Sequence, residues 1–267
     1  MFPNFLYIGP GRAGSDWVTK NLQLHPEIFI PRKKGTRFFV DNYDNGLSWY
    51  EKFFDERAEK AIGEATVGYL HTEHSAQLIQ KHLPDAKFIV SLRDPVDRAY
   101  SSYGRLTGVA KEGDDNYGIS FENKIIATPS ILDQGLYAKH LKRWFELFPR
   151  ENFLILTFDE MKNDPETFLQ KIYTFLGVDP DFKSPVMEQK LNSSATLSSK
   201  SLPLYYLYRA LLRIDFFGLS KMLDSINRTQ REKINPDTRN KLIQDIFLDD
   251  INELEQLIGL DLTAWKN

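Results

Sequence analysis

Two short stretches of this chain hold an arginine in a turn directly after an apolar run. The first is Gly9-Pro10-Gly11-Arg12-Ala13-Gly14-Ser15, and the second is Arg93-Asp94-Pro95. Backbone N–H groups of a glycine-rich turn that opens a helix form a site for anions. A guanidinium group can hold two oxygens of a phosphate or sulfate at once. Both turns therefore indicate a ligand that carries phosphate-like groups.

The first turn lacks the lysine of a nucleoside-triphosphate site. Such a site has the sequence G-x-x-x-x-G-K-[ST]. Here Gly9 and Gly14 have the required spacing, but Ser15 follows Gly14 at once. A kinase or an ATPase would lose the ammonium group that reaches the terminal phosphates, and the cation lies instead within the turn, at Arg12. The sequence therefore argues against a nucleotide kinase.

The segments that must position these turns alternate between strand and helix patterns. Predicted strands are the apolar runs at residues 5–8, 28–30, 37–40, 64–70, 87–92 and 153–158. Predicted helices are residues 15–24, 47–54, 75–82, 135–148, 165–176, one that starts at residue 96 and a long one from Pro236. This alternation predicts an α/β fold with a central, mostly parallel sheet flanked by helices. Because ligands bind at the carboxyl ends of parallel strands, the turns after Ile8 and Leu92 are expected side by side.

The two turns resemble the nucleotide-binding segments of the sulfotransferases that use 3′-phosphoadenosine 5′-phosphosulfate (PAPS). In that family the 5′-phosphosulfate loop commonly reads K-x-G-T-T-x. The 3′-phosphate segment is a strand followed by R-[DN]-P, two variable residues and R-A-x-S. Arg12 takes the lysine position of the first motif, and Arg93 and Ser101 take the phosphate-binding positions of the second. The likeness extends over nearly the whole chain and implies one domain, residues 1–267, with the P-loop-like fold of bacterial and heparan-sulfate-type sulfotransferases.

The resemblance also implies which residues bind the donor. They are Arg12, Ala13, Gly14, Ser15, Asp16, Trp17, Arg93, Ser101, Gln134 and Lys200. Arg12 is expected to act in catalysis as well, by neutralising charge on the bridging oxygen as the sulfur leaves. Gln134 falls where cytosolic members place a tyrosine that contacts adenine, and Lys200 falls in a loop that closes over the donor. Asp16 departs from the motif, so we expect its carboxylate to face away from the ligand and favour the helix dipole.

The usual catalytic base is missing from the sequence. Heparan-type relatives carry it as the glutamate of K-E-x-[HK]-[FY]-F, and this chain has Gly35 at that position. Glu64 matches an acidic position of the relatives and is one candidate base, with a structural hydrogen-bonding role as its alternative. His71 is the second candidate, because an unperturbed imidazole titrates near neutral pH. The remaining possibilities are an acceptor acidic enough to need little help and a protein without catalysis.

Composition restricts the partners and the compartment. The net charge is −3, which gives no overall basic field for nucleic acid or an anionic membrane. Cysteine is absent, which excludes disulfides and thiolate metal sites, and no cluster has metal-ligand spacing. Sulfate carries less charge than phosphate, so its transfer does not require a metal. The chain has no run of about 18 apolar residues and no signal-like start, so we expect a cytoplasmic protein without stable membrane insertion.

These observations predict a sulfotransferase that moves a sulfuryl group from PAPS to a hydroxyl or amine, in line between the two reacting atoms. A hydroxyl of a sugar or a small alcohol is the favoured acceptor. The alternative is a PAPS-binding or bisphosphate-binding protein of the same fold that lacks transfer activity, as Gly35 and Asp16 suggest. No oligomeric state is predicted.

Overall fold

In the part of the chain that the structure describes, five parallel strands form the central sheet. The computed structural model describes residues 1–32, 35–107, 119–189, 197–199, 207, 222, 228–230 and 234–267. The strands are β1 (Phe5–Gly9), β2 (Ile28–Phe29), β3 (Ala61–Ala65), β4 (Lys87–Leu92) and β5 (Phe153–Thr157). Their order is β2-β3-β1-β4-β5, and every neighbouring pair is parallel. The α/β fold class predicted from the sequence is confirmed.

Between and after these strands, the described residues form α-helices. They are α1 (Ser15–Leu22), α2 (Phe38–Asp41), α3 (Leu47–Glu51), α4 (Ser75–His82), α5 (Pro95–Thr107), α6 (Phe121–Ala127), α7 (Ser130–Asp133), α8 (Tyr137–Phe145), α9 (Phe158–Asn163), α10 (Pro165–Leu176), α11 (Pro236–Leu242) and α12 (Leu248–Ile258). A π-helical turn, Ile243–Phe247, joins α11 to α12. Two further strands, β6 (Leu197–Ser199) and β7 (Arg228–Gln230), pair antiparallel to each other.

The sheet buries both of its faces, and β1 shows how. Leu6 and Ile8 point into the larger core, which contains residues of α4, α5, α8 and α12. Phe5 and Tyr7 point into the smaller core, which contains residues of α1 and α10. Successive side chains of a strand alternate between faces, so a strand covered on both sides must be apolar throughout. This is why the strands at residues 5–8 and 87–92 read as continuous apolar runs.

The predicted strand at residues 37–40 is wrong, because that stretch begins a short helix, α2. The sequence suggested a strand because Phe-Phe-Val favours extended backbone. Phe38 and Phe39 are instead both fully buried on the same side, where their rings lie 4.5 Å and 5.3 Å from the ring of Tyr50. Two adjacent residues can bury against one partner on a helical turn, whereas a strand would point them to opposite faces.

The predicted strand at residues 64–70 is placed too late in the chain. The strand is β3, Ala61–Ala65, and the chain turns after it. The turn carries Val67 over Gly9 and returns Leu70 to β1, where the Leu70 N–H donates to the carbonyl of Ile8 at 3.0 Å. Tertiary contacts with β1 therefore decide where this strand ends.

The C-terminal helix predicted from Pro236 is confirmed in position but is not continuous. Of the apolar residues predicted to share one face, Ile243, Phe247, Ile251 and Leu254 are buried and Ile258 is partly buried. The π-helical turn interrupts the helix between α11 and α12.

Replacing Phe88 with alanine should destabilise the fold strongly. Its fully buried ring lies 5.2, 4.6 and 4.8 Å from the rings of Trp144, Phe148 and Phe153. Large-to-small changes at such positions cost about 3–5 kcal/mol of unfolding free energy, measurable by urea denaturation. Ile126→Ala is the matched control, because Ile126 is 75% exposed and its loss should cost no more than about 0.5 kcal/mol. Equal losses in the two variants would contradict this packing.

Candidate active site

The neighbouring strands β1 and β4 bring the two arginine turns together. The strands are paired up to Gly9 and Val90, so both turns leave the same edge of the sheet. The Ser91 hydroxyl donates to the carbonyl oxygen of Ala13 at 2.6 Å, which joins the end of β4 to the first turn. The side-by-side arrangement expected from the sequence is therefore present.

Glycine is required at both ends of the first turn. Gly9 has a φ of +116°, and a Cβ there would lie 2.4 Å from the carbonyl oxygen of Val67. Gly14 has a φ of +88°, and its Cβ would lie 2.6 Å from the sulfur of Met161. Gly14 is also the residue that precedes the first turn of α1. Val67 and Met161 therefore pack directly against the turn, and the turn leads into the N-terminus of an eight-residue helix.

Arg12 links the first turn to the second. Its Nε donates to the hydroxyl oxygen of Ser101 on α5 at 3.0 Å. In the other direction, Nη1 of Arg93 donates to the carbonyl oxygen of Arg12 at 3.2 Å. Arg12 is therefore hydrogen-bonded to both of the other residues predicted to hold the donor, Ser101 and Arg93.

The charge around Arg12 is predominantly positive. Burial lowers the pKa of Arg12, and the neighbouring guanidinium groups of Arg105, Arg93 and Arg98 lower it further. The carboxylate of Asp16 acts in the opposite direction and raises this pKa. Asp16 is thus close enough to take part in the charge balance of the site. Several cations that disfavour one another's charge make a setting in which a bound anion is stabilising.

Arg93 is held from two sides. Its guanidinium carbon lies 4.8 Å from the centre of the Phe158 ring, and its carbonyl oxygen accepts a hydrogen bond from the Tyr137 hydroxyl at 2.8 Å. Nη2 lies 3.8 Å from a carboxylate oxygen of Asp97. This distance is long for an ion pair, so the guanidinium keeps donor capacity for a ligand.

Gln134 and Arg98 connect α5 to α7. The side-chain oxygen of Gln134 accepts a hydrogen bond from Nη1 of Arg98 at 3.3 Å, and Nη2 of Arg98 donates to the carbonyl of Ile131. Arg98 is fully buried. Gln134 is therefore bonded to the helix that follows the second turn, and its contact with the donor stays a prediction.

Three other predicted donor residues, Ala13, Ser15 and Trp17, lie in the first turn or at the start of α1. Ala13 and Ser15 are buried at the start of α1. The indole N–H of Trp17 donates to the carbonyl of Met187 at 2.9 Å, so its polar atom is engaged with the protein. Lys200 lies outside the described residues.

Glu64 is 1% exposed and is surrounded by hydrogen-bond donors. One carboxylate oxygen accepts from the N–H and hydroxyl of Thr36 and from the hydroxyl of Thr66, at 2.8–2.9 Å. The other accepts from the hydroxyls of Tyr50 and Tyr69, at 2.8 and 2.6 Å. Burial, together with the charge of Glu64, raises the pKa of both tyrosines well above its usual value. These contacts favour the structural alternative for Glu64.

Gly35 occupies the position of the expected glutamate and leaves no room for one. Its φ is +70°, and a Cβ would lie 2.9 Å from the carbonyl of Ala65 and 3.1 Å from the hydroxyl of Thr66. The neighbouring Thr36 is held by Glu64. The same network that occupies Glu64 therefore fixes the backbone at Gly35.

His71 lies half-buried near a second histidine. Its ring centre is 6.3 Å from that of His140, and its buried Nδ1 has no hydrogen-bond partner among the described residues. Burial, followed by the charges of His140 and Arg98, lowers the pKa of His71 from 6.5 to about 4. The imidazole is therefore neutral at neutral pH and has a lone pair to accept a proton.

Sequence reasoning missed Arg105 and Arg239. Arg105 lies one helical turn after Ser101, a spacing of four residues that places both on one face of α5. The four-residue spacing between Ser101 and Arg105 could therefore have indicated Arg105 from the sequence. Arg239, on α11, forms ion pairs with Asp94 and Asp97. No local pattern indicates Arg239, because 142 residues separate it from Asp97.

The fold places two arginine turns side by side at one edge of a parallel α/β sheet. A family model described as the sulfotransferase domain matches residues 2–204. The chain belongs to the sulfotransferase family. The family predicted from the two turns is therefore confirmed.

Individual relatives agree with this assignment. The human bifunctional heparan sulfate N-deacetylase/N-sulfotransferase 3 is 32% identical over 200 residues, which are 67% of this chain and 23% of that protein. The human heparan sulfate glucosamine 3-O-sulfotransferase 3B1 is 30% identical over 185 residues, 67% of this chain and 47% of that protein. The chain thus spans about a quarter to a half of these two proteins. A solved sulfotransferase from Alicyclobacillus acidocaldarius matches along the whole of both chains, with a TM-score of 0.73 and 28% identity.

The described residues contain neither a membrane-spanning helix nor a cluster of metal-binding side chains. None of the helices in this part of the chain is long and apolar enough to cross a membrane. Within the same residues, no group of three or more His, Cys, Asp or Glu side chains is arranged to hold a metal ion.

Replacing Glu64 with glutamine should lower the unfolding free energy by about 2–3 kcal/mol. Each carboxylate oxygen accepts at least two hydrogen bonds, so the amide nitrogen of glutamine would face donors and leave them unpaired in the interior. Urea denaturation measures the loss. Glu73→Gln is the control, since Glu73 is exposed and its change should cost less than about 0.5 kcal/mol. A loss at Glu64 no larger than at Glu73 would rule out the network as a structural element.

The depressed pKa of His71 predicts a dependence of stability on pH. The unfolded chain takes up a proton near pH 6.5, whereas the folded chain resists it until about pH 4. The unfolding free energy should therefore fall as the pH is lowered through this window. His71→Asn should reduce the fall, and His74→Asn, at an exposed histidine, should leave it as in the wild type. Urea denaturation at pH 7, 6 and 5 measures the difference, and identical pH profiles for all three proteins would contradict it.

Proposed function

We propose that the chain transfers a sulfuryl group from PAPS to an amine or hydroxyl of a sugar acceptor. The observation that carries the proposal is the bonded set of Arg12, Ser101 and Arg93 at one edge of the sheet. It joins the turn that resembles a 5′-phosphosulfate loop to the segment that resembles a 3′-phosphate site. A nucleotide with anionic groups at its 3′ and 5′ positions would supply negative charge to both turns.

The donor would lie across the carboxyl ends of β1 and β4. Its 5′-phosphosulfate would meet the backbone N–H groups of the first turn, from Ala13 to Ser15, at the N-terminus of α1. Its 3′-phosphate would meet the guanidinium of Arg93 and the hydroxyl of Ser101. Trp17 and Gln134 would border the nucleotide, and Lys200 remains a prediction from the sequence.

Arg12 would serve both binding and transfer. Sulfuryl transfer passes through a loosely bonded group in line between the entering and leaving atoms, and negative charge develops on the bridging oxygen. A guanidinium already held in position by Ser101 stabilises this charge without further rearrangement. The interaction strengthens as the sulfur leaves, so it lowers the barrier and not only the binding energy.

A sugar is the acceptor class that the relatives' names support. One relative is a heparan sulfate N-sulfotransferase and another a heparan sulfate glucosamine 3-O-sulfotransferase, and they match with 32% and 30% identity. Since N- and O-sulfotransferases match about equally, we propose a sugar that offers an amine, a hydroxyl or both. The proposed acceptor is therefore restricted to sugars, and an amine is kept beside the hydroxyl that the sequence favoured.

His71 is the base candidate that we retain. Both oxygens of Glu64 are occupied by donors, and no glutamate fits at Gly35 without a shift of the backbone. His71 is neutral at neutral pH, and its Nδ1 has no partner among the residues described. With a pKa of about 4 the imidazole is a weak base at neutral pH, so its contribution to transfer would be small.

We further propose that the whole chain forms one sulfotransferase domain. The full-length match to the bacterial structure supports this, because it extends beyond the residues that the family model covers. The cytoplasmic location stays a prediction from the sequence.

Replacing Arg93 with alanine should weaken the binding of adenosine 3′,5′-bisphosphate at least about tenfold. A charge-assisted hydrogen bond contributes about 1.5–3 kcal/mol, and a tenfold change corresponds to about 1.4 kcal/mol. Titration calorimetry measures the affinity. Arg150→Ala is a matched control, because Arg150 also stacks on a phenylalanine ring, at 4.7 Å, but precedes β5 at the opposite edge of the sheet. The Arg150 variant should bind within about twofold of the wild type.

Unchanged affinity in the Arg93 variant would contradict the proposed donor site. Transfer is tested separately, with labelled PAPS and glucosamine oligosaccharides that carry a free amine or only hydroxyls. Binding of the bisphosphate without transfer to any acceptor would favour the alternative, a nucleotide-binding protein of this fold without transfer activity.

A further inference from the structure

Two carboxylates stand beside Arg93, where a phosphate is proposed to bind. Asp94 follows Arg93 directly and is 9% exposed in its side chain. Asp97 lies one helical turn further on, with one oxygen 3.8 Å from Nη2 of Arg93. Unpaired carboxylates at this distance repel a phosphate, and they compete with it for the guanidinium. Something must therefore neutralise them if Arg93 is to bind an anion.

Arg239 bonds to both carboxylates at once. Its Nη2 lies 2.5 Å from Oδ2 of Asp94, and its Nη1 lies 2.9 Å from Oδ1 of Asp97. The side chains of Arg239 and Asp94 are 22% and 9% exposed, so their contact is shielded from solvent, whereas Asp97 is 48% exposed. A planar guanidinium suits this task, since its fork can meet two acceptors with fixed geometry.

The distances describe how Asp97 is shared between two arginines. Its Oδ1 is in direct contact with Arg239, whereas its Oδ2 stays 3.8 Å from Arg93. Asp94 is not shared between two arginines in this way, because its other oxygen accepts a hydrogen bond from the backbone N–H of Asp97 at 2.9 Å. Burial raises the pKa of Asp94, which marks its charge as costly without a partner. With Arg239 present, both negative charges are matched, and Arg93 is left with donor capacity.

We propose that Arg239 is a positioning residue of the donor site, which holds Asp94 and Asp97 so that Arg93 stays available to the 3′-phosphate of the nucleotide. Arg239 belongs to α11, outside residues 2–204 that match the family model. The C-terminal helix thus completes a site whose other residues lie in the matched part of the chain. This inference rests on the proposed function and adds a residue to the donor site.

A double-mutant cycle tests the role of Arg239. Arg239→Gln should weaken the binding of adenosine 3′,5′-bisphosphate at least fivefold, because Asp97 turns to Arg93 and one positive charge is lost. Asp97→Asn added to that variant should restore the affinity to within about twofold of the wild type, since the competing charge is removed. Asp97→Asn alone should bind as well as the wild type or better. Titration calorimetry on the full chain measures all four proteins.

The rescue separates a positioning role from a purely structural one. Lys142→Gln is the control, since it removes another ion pair to the C-terminal helices, with Glu253, and should leave the affinity unchanged. Thermal unfolding of each variant identifies loss of fold. Affinity of Arg239→Gln within twofold of the wild type would overturn the inference, and so would a double variant as weak as Arg239→Gln. If the wild type itself does not bind the bisphosphate, the proposed function fails and this inference fails with it.

Discussion

The parallel pairing of β1 with β4 is the constraint on which the candidate site depends. It brings two turns that are about 80 residues apart in the chain to the same edge of the sheet, where Ser91 bonds to Ala13 and Arg12 bonds to Ser101. The hydrogen bond from Arg93 to the carbonyl of Arg12 is a third link between the two segments. Each bond joins the first turn to β4 or to the segment that follows it. A shift in the register of this one pair of strands would separate the cations that the proposed donor needs.

Local charge matters more in this protein than overall charge. The chain has a net charge of −3, yet Arg12, Arg93, Arg98 and Arg105 influence one another around one turn. Arg98 is fully buried, and among the described residues no carboxylate lies within ion-pair distance of it. Unmatched buried cations are costly unless a ligand supplies the opposite charge. The positive cluster is therefore consistent with a site built for an anion.

The sequence predicted the parts of the site that depend on local pattern. The apolar runs and the turns after Ile8 and Leu92 follow from strand burial and turn chemistry, so the fold class and the meeting of the two turns could be predicted. The helix at Phe38 could not, because packing against Tyr50 outweighs the β propensity of its residues. The ion pair between Arg239 and Asp97 spans 142 residues of the chain, and no spacing rule indicates it. The hydrogen bonds of Glu64 come from residues up to 28 positions away that only the folded turns bring around it.

A crystal structure of the chain with adenosine 3′,5′-bisphosphate tests the central claim most directly. The 3′-phosphate is predicted to lie within hydrogen-bond distance of the guanidinium of Arg93 and the hydroxyl of Ser101. The 5′-phosphate is predicted to lie on the backbone N–H groups that follow Arg12. A nucleotide bound elsewhere, or one that meets only one of the two turns, would contradict the joint site.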